Sequence, residues 1–265
     1  PNQLPFNFVL DGEILAYKDG QPMNFQHLQK RIGRKKVGKK LLADCPISFM
    51  AYDLLEWKGE DIRQKAFQER RMLLELLYEQ SVSEHLLLSP VVDFNEWDFL
   101  AKERARSRAL RTEGFMLKRK DSIYQVGRKK GDWWKWKIDP LTIDAVMIYA
   151  QRGHGRRANL FTDYTFALWK DDQLVTFTKA YHGLKDEEFR EISRFVRGNT
   201  LERFGPVHAV KPSLVFEIAF EGIQRSKRHK SGIALRFPRI ARWRKDKHPR
   251  EANTLEDIEL FLSND

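Results

Sequence analysis

The sequence predicts an α+β protein in two units, the second a small β-barrel of the oligonucleotide-binding (OB-fold) type. Three observations predict this. Before Asp139-Pro140, apolar strand-like runs are separated by two helix-like stretches. After it, short strands follow one another with a single helical segment among them. The proline breaks the pattern, because it fixes φ and removes a ladder donor. Five or so short strands with one helix suit a small barrel. The units are therefore expected at 1–139 and 140–265.

Each element has its own signal. Residues 8–17 read as a strand, with Asp11 and Glu13 on one face because strand side chains alternate. Residues 30–40 read as a basic loop with Gly33 and Gly38 as flexible points. Residues 47–55 form a second strand. Residues 63–79 read as an amphipathic helix with Leu73, Leu74, Leu76 and Leu77 as its apolar stripe. Residues 85–92 are a strand broken by Pro90. Residues 95–110 are a helix with Trp97, Leu100 and Ala101 inward and its arginines outward. Residues 114–118 and 133–138 are strands flanking the basic turn 128–131. In the second unit, strands are expected at 143–150, 164–169, 174–180 and 214–220, with a helix at 186–196.

Composition narrows the partners. A net charge of +11 and a pI of 9.6 point to a polyanion, or to a merely soluble basic protein. The single cysteine, Cys45, excludes a disulfide framework and a cysteine-based zinc site. It is expected as a core thiol at a strand edge. No apolar run reaches the roughly 18 residues of a membrane span, so no membrane partner is expected.

Four short segments in a fixed order carry the chemistry: Leu10-Asp-Gly-Glu13, Glu113-Gly-Phe-Met-Leu-Lys118, Trp133-Trp-Lys-Trp-Lys137, and Arg236-Phe-Pro-Arg239 running on to Asp246-Lys247. The first alone is a common turn feature. In the third, alternation puts Lys135 and Lys137 on one face. The fourth is the most specific, since neither a core nor a solvated face demands it. Phe49-Met-Ala-Tyr-Asp53 adds an aromatic before an aspartate.

Together these segments resemble the covalent nucleotidyltransferases, and among them the ATP-dependent DNA ligases of bacterial type. The resemblance implies a truncated adenylation domain followed by an OB-fold domain. It has one departure. The family's nucleophile is the lysine of a K-x-D-G motif, about fifty residues before the D-G-E segment in that family's pattern, and no K-x-D-G occurs in this chain. The chain is thus expected to begin inside the adenylation domain and to be unable to self-adenylate.

The implied reaction has three steps: lysine takes AMP from ATP, AMP passes to a 5′-phosphate, and a 3′-hydroxyl displaces AMP. Phosphoryl transfer is carried by positioning and charge stabilisation. Glu13 and Glu113, hard oxygen donors, would hold Mg²⁺. Lys135 and Lys137 would face the α-phosphate, with Lys118 and either Arg128 or Lys129 adding contacts. Tyr52 would stack on adenine, or is simply a buried strand tyrosine. Arg239, Asp246 and Lys247 would face the leaving pyrophosphate, unless the run is a solvated basic tail. Arg34, Lys35, Lys36 and Arg236 would meet DNA phosphates, as would the basic stretch 225–230. Phe25 and Phe237 would press into the minor groove beside the nick, or belong to the core. The partner implied is nicked duplex DNA, bound by a monomer in the cytoplasm, at the nucleoid if the protein is bacterial. The rivals are an RNA ligase or mRNA capping enzyme, and a catalytically inactive nucleic-acid-binding module.

Overall fold

The computed structural model describes residues 6–262. The chain divides between Ile138 and Asp139 into two compact units.

The first unit is built on β1 (Phe8–Lys18), β2 (Gln21–Pro22), α1 (Phe25–Gln29), α2 (Lys39–Asp44), β3 (Ile47–Trp57), β4 (Glu60–Asp61), α3 (Phe67–Gln80), β5 (Leu86–Leu88), α4 (Trp97–Ala105), β6 (Gly114–Lys118) and β7 (Trp133–Lys137). Its main sheet runs β2-β1-β3-β4, with the short β5 parallel to β3. Helix α3 lays Leu74 and Leu77 against Ala51, Leu54 and Ile62. Burying each such leucine contributes about 1.5–3 kcal/mol. The Glu69 carboxylate accepts the Ala66 N–H at 3.0 Å and caps the helix start. β6 and β7 form a separate antiparallel hairpin.

The second unit contains β8 (Leu141–Arg152), β9 (Phe161–Lys170), β10 (Gln173–Ala180), α5 (Asp186–Gly198), β11 (Thr200–Phe204), β12 (Val207–Val210), β13 (Val215–Phe220), β14 (Gly222–Arg225), β15 (Ile233–Arg236), β16 (Arg239–Trp243) and α6 (Leu255–Glu259). The long β8 is shared. Its first half pairs with β13, and its second half pairs with β9 on one side and β12 on the other. That sharing curls the sheet around Phe166, Phe177, Phe189, Phe216 and Phe220, all buried. Helix α5 covers the core with Phe189, Ile192 and Val196, and the Glu188 carboxylate accepts the Lys185 N–H at 2.7 Å at its start.

Several elements differ from the expectation. Helix α3 starts at Phe67 rather than 63, and Leu76 on it is exposed. Trp97 is 61% exposed rather than inward; only Leu100 of α4 is buried. The strand expected at 85–92 is three residues long. Lys39 and Lys40 begin α2 instead of ending a loop. Cys45 is buried, but at the C-terminus of α2 and not on a strand edge. The hairpins β11–β12 and β14–β15, strand β16 and helix α6 were not foreseen. Among the described residues no helix is long and apolar enough to cross a membrane.

Candidate functional site

In the first unit, β1 and β3 assemble the acidic end of the site. Gly12 separates Asp11 from Glu13, and a Cβ there would strike the Met50 carbonyl and lie 2.7 Å from the Phe49 ring. Only glycine lets β3 approach so closely. Asp11 pairs with Asp53 and Gly12 with Ala51, so Tyr52 is the extra residue of a bulge. Bulges re-aim side chains; here the Tyr52 hydroxyl donates to Glu13 Oε2 at 3.0 Å. Burial, then the Glu13 charge beside it, pushes the Tyr52 phenol up, with smaller contributions from Asp11 and Glu113. Tyr52 therefore stays a neutral donor, and Glu113 shares its neighbourhood. Burial also pushes the Tyr124 phenol up, followed by Asp11, to which it is hydrogen-bonded.

Beneath these groups lies a buried ion pair. Arg70 donates Nε to Asp53 Oδ1 at 2.8 Å and Nη2 to Oδ2 at 3.0 Å, with both side chains fully buried. The remaining guanidinium nitrogen reaches the carbonyls of Lys65 and Ser122. Lys118 joins the pair, its Nζ 3.4 Å from both Asp53 Oδ2 and the Tyr52 carbonyl. Its ammonium lies 4.1 Å from the Trp133 ring centroid and 4.7 Å from that of Phe67. Burial pulls the Lys118 pKa down, and Asp53 opposes the shift. With a side chain 10% exposed, Lys118 is positioned as a support under Tyr52 rather than as a free cation.

The β6–β7 hairpin supplies the basic end. Met116 faces Lys135, and Lys118 faces Trp133, so Lys118, Lys135 and Lys137 share one face. Gly114 sits at φ +126°, where a Cβ would strike the Trp136 carbonyl. That is why glycine follows Glu113. The Glu113 Oε2 is 2.6 Å from Lys137 Nζ. Lys135 is exposed, as are Arg128 and Lys129 in the turn between the strands.

No group of three or more His, Cys, Asp or Glu able to hold a metal occurs among the described residues. The candidates for a hard cation are the two carboxylates beside Tyr52, Glu13 and Glu113. Mg²⁺ usually takes one or two carboxylates and draws its other oxygens from phosphates and water. Glu13 and Glu113 match that requirement.

In the second unit, the segment after β15 is heavily paired. Arg239 meets Glu221 at 2.9 Å, and Arg242 meets Glu217 at 2.9 Å. Arg244 and Lys247 each lie 2.7 Å from Asp144 Oδ2. Arg244 also clamps Asp246 at 2.7 Å. The Arg244 hydrogen bond holds the Asp246 carboxyl down at about 2. Asp144, on β8, is the centre of this cluster, and its other oxygen, Oδ1, is buried without a hydrogen bond. Phe237 sits between β15 and β16 with φ +51° and is 63% exposed, with the Arg236 guanidinium 5.1 Å from its ring.

The remaining nucleic-acid residues are surface groups. Phe25 begins α1 and is 43% exposed. Arg34 donates to the Lys30 carbonyl at 2.6 Å, and Arg31 ties the loop to the Cys45 carbonyl at 2.7 Å. Lys35 and Lys36 point to solvent. The basic stretch 225–230 lies at the end of β14 and in its turn to β15. The Asp53–Arg70 pair, Tyr124 and Asp144 were missed in the sequence, because each is recognisable only by a partner far away in the chain. The asymmetry of Tyr52 and Glu13 could have been found: an aromatic opposite a D-G-E strand needs a bulge to aim it.

Comparison with known proteins gives the chain a family. Residues 2–137 match the family described as "ATP dependent DNA ligase domain", and residues 157–247 match "ATP dependent DNA ligase C terminal region". A "Probable DNA ligase" of Koribacter versatilis is 36% identical over 95% of this chain and 47% of its own length. A "Probable DNA ligase" of Opitutus terrae is 38% identical over 95% of this chain and 28% of its own length. The chain thus spans about half the length of the first relative, 47%, and less of the second, 28%. A solved structure of a Lig E DNA ligase matches in fold with a TM-score of 0.63 at 19% identity, covering 89% of this chain and 76% of that one. The α+β architecture is that of a nucleotidyltransferase domain followed by an OB-fold.

Proposed function

Because the chain belongs to the ATP-dependent DNA ligase family, we propose that it carries the nucleotide-transfer face and OB-fold of an enzyme that seals 5′-phosphate/3′-hydroxyl nicks in duplex DNA. In this reading residues 1–139 form the adenylation portion and 140–265 the barrel with its basic segment. The observation that supports it is the grouping of Glu13 and Glu113 about Tyr52, with Lys137 on Glu113 and Lys135 on the same hairpin face as Lys137.

Each residue has a task. Lys135 and Lys137 stabilise the charge that builds on the α-phosphate. Lys137 is held ready by Glu113 and exchanges that carboxylate for a phosphate oxygen. Glu13 and Glu113 would hold Mg²⁺, which when bound would supply neutralisation of phosphate charge. Tyr52 flanks the adenine. Lys118 anchors the hairpin to Asp53 and so fixes the height of Lys135 and Lys137. Arg239, Asp246 and Lys247 address the pyrophosphate that leaves ATP. Arg34, Lys35, Lys36 and Arg236 contact backbone phosphates, and Phe25 and Phe237 press into the minor groove. All these groups lie on one chain, so a single copy suffices, working in the cytoplasm where the DNA is. The lysine that accepts AMP belongs to a K-x-D-G motif that these residues do not contain, so this polypeptide is expected to form no AMP adduct of its own.

The last step of sealing needs no lysyl adduct: the 3′-hydroxyl gives its proton to solvent and attacks the 5′-phosphate, the new phosphodiester forms, and the phosphoanhydride bond to AMP breaks with its electron pair leaving on AMP. The test offers the chain a nicked duplex already carrying AMP on its 5′-phosphate, with Mg²⁺ and no ATP. Sealed strand is expected, and its rate should fall on Lys135→Ala. Folded, DNA-bound chain that leaves the nick open would overturn the reading in favour of an inactive binding module.

A further inference from the structure

The second unit carries another basic surface, built on the β8–β9 turn and α5 and touching the Arg236–Lys247 segment through Glu191 and Lys245. It begins in the turn between β8 and β9, where His154 precedes the short helical turn Gly155–Arg157. That turn is fastened to α5. The Phe161 N–H donates to the buried Ser193 hydroxyl at 2.9 Å, Arg197 reaches the Asn159 carbonyl at 2.7 Å, and Arg157 meets Asp186 at 2.9 Å. Turn and helix flank an open, solvent-facing cavity of about 670 Å³ lined by His154, Arg156, Arg157, Leu160, Asp186 and Arg190.

The helix extends the charge. Phe189, Ile192, Ser193 and Val196 form its buried face. Arg190, Arg194 and Arg197 recur at i, i+4 and i+7 on the exposed face. Most of the acids of α5 have other partners. Asp186 holds Arg157, Glu188 accepts the Lys185 N–H, and Glu191 holds Lys245 at 2.7 Å, leaving Glu187. Arg156, Arg190 and Arg194 make no ion pair among the described residues. Asp186 also lines the cavity but is held by Arg157, so Arg156 and Arg190 stand there with no ion-pair partner among the described residues, and a bound anion would neutralise them. Their planar forks match phosphate oxygens in pairs.

The spacing favours a polymer over a single anion. From Arg190 to Arg197 the helix rises about 10 Å. That is the axial reach of about three phosphate-to-phosphate steps, or four successive phosphates, on one DNA strand. We propose that the cavity at Arg156 and Arg190, continued along α5 by Arg194 and Arg197, is a docking site for the phosphodiester backbone of duplex DNA. It would hold DNA by contacts blind to sequence and independent of the nick-facing segment. The proposal rests on the DNA-ligase reading above.

The test uses the whole 265-residue chain and a short duplex, titrated at several salt concentrations. Arg156→Glu with Arg190→Glu changes exposed residues only, and circular dichroism checks that the fold is kept. The same change in net charge at Lys102 and Lys170 serves as the control. Wild type should bind, the Arg156/Arg190 variant should bind about tenfold or more weakly, and its log–log salt slope should fall by about 2, one for each lost phosphate contact. The control should stay within a few-fold of wild type, and millimolar inorganic phosphate should compete no better than its ionic strength explains. If wild type binds and the variant matches the control, the surface is no docking site although the ligase reading stands. If inorganic phosphate displaces DNA fully, the site takes a small anion and the DNA assignment fails. If wild type itself does not bind duplex, the reading above fails with it.

Discussion

Glu113 and Lys137 meet at the open end of the β6–β7 hairpin, with Oε2 2.6 Å from Nζ. Their side chains are 43% and 40% exposed, so water screens the pair and it is worth about 1 kcal/mol or less to the fold. The same two groups are the proposed metal ligand and phosphate cation, which separates stability from chemistry. Glu113→Ala should leave urea unfolding of the first unit within about 1 kcal/mol of wild type. It should abolish Mg²⁺-dependent sealing of a pre-adenylated nick. A sharp loss of stability with sealing retained would make Glu113 a structural residue.

The pair below behaves oppositely. Asp53 and Arg70 are fully buried and joined through two of the three guanidinium nitrogens. Removing one partner strands the other charge without water, which costs about 3–5 kcal/mol. Arg70→Met should therefore destabilise the first unit by that order in a urea titration. Lys118 remains beside Asp53 at 3.4 Å, which sets the loss toward the lower end. A change below about 1 kcal/mol would mean that Lys118 alone satisfies Asp53.

How much of this was legible depends on the range of each interaction. The strand carrying Asp11 and Glu13 was readable because alternation is local, and so was the hairpin carrying Glu113, Lys135 and Lys137. The burial of Lys118 was not, because its partner Asp53 lies 65 residues away and the enclosing rings of Phe67 and Trp133 come from two other elements. Trp97 was misassigned because a helical stripe says which residues share a face, not which face packs inward. The β14–β15 hairpin escaped notice because its turn is polar and basic, the composition of a plain loop. The Arg156–Arg190 surface was invisible because its halves are separated by a strand pair. Asp144 looked like an ordinary strand aspartate; only the fold brings Arg244 and Lys247 to it.

The Arg244–Asp246 contact should be visible in a pH titration. The Asp246 carboxyl titrates at about 2, held down by its hydrogen bonds from Arg244, against about 3.9 for an unfolded aspartate. A depressed carboxylate favours the fold above its unfolded pKa, and that contribution is lost as pH falls from about 4 toward about 2. Carboxyl NMR shifts should thus show Asp246 still ionised near pH 3. Arg244→Gln should move its midpoint back toward about 4. An unchanged midpoint in that variant would assign the shift to other groups and remove Arg244 as the residue that orients Asp246.

Phe237 combines two features that a core residue does not need. Its ring is 63% exposed, and its backbone lies at φ +51°, in the left-handed region. A non-glycine residue held there costs of order 1–3 kcal/mol, and such strain persists mainly where function retains it. Glycine takes the same conformation without the steric cost. Phe237→Gly should therefore leave the second unit as stable as wild type or up to about 1 kcal/mol more stable. Its apolar wedge would be gone, so affinity for nicked duplex should drop while affinity for intact duplex changes less. Phe237→Leu keeps bulk and strain and should sit between the two. Denaturant unfolding and paired titrations with nicked and intact DNA decide the matter. If Phe237→Gly destabilises the unit and binds both duplexes as wild type does, the ring is a packing residue and the minor-groove role is lost. If stability holds and only nicked DNA is released, the strain at Phe237 is the cost of presenting an aromatic ring to the nick.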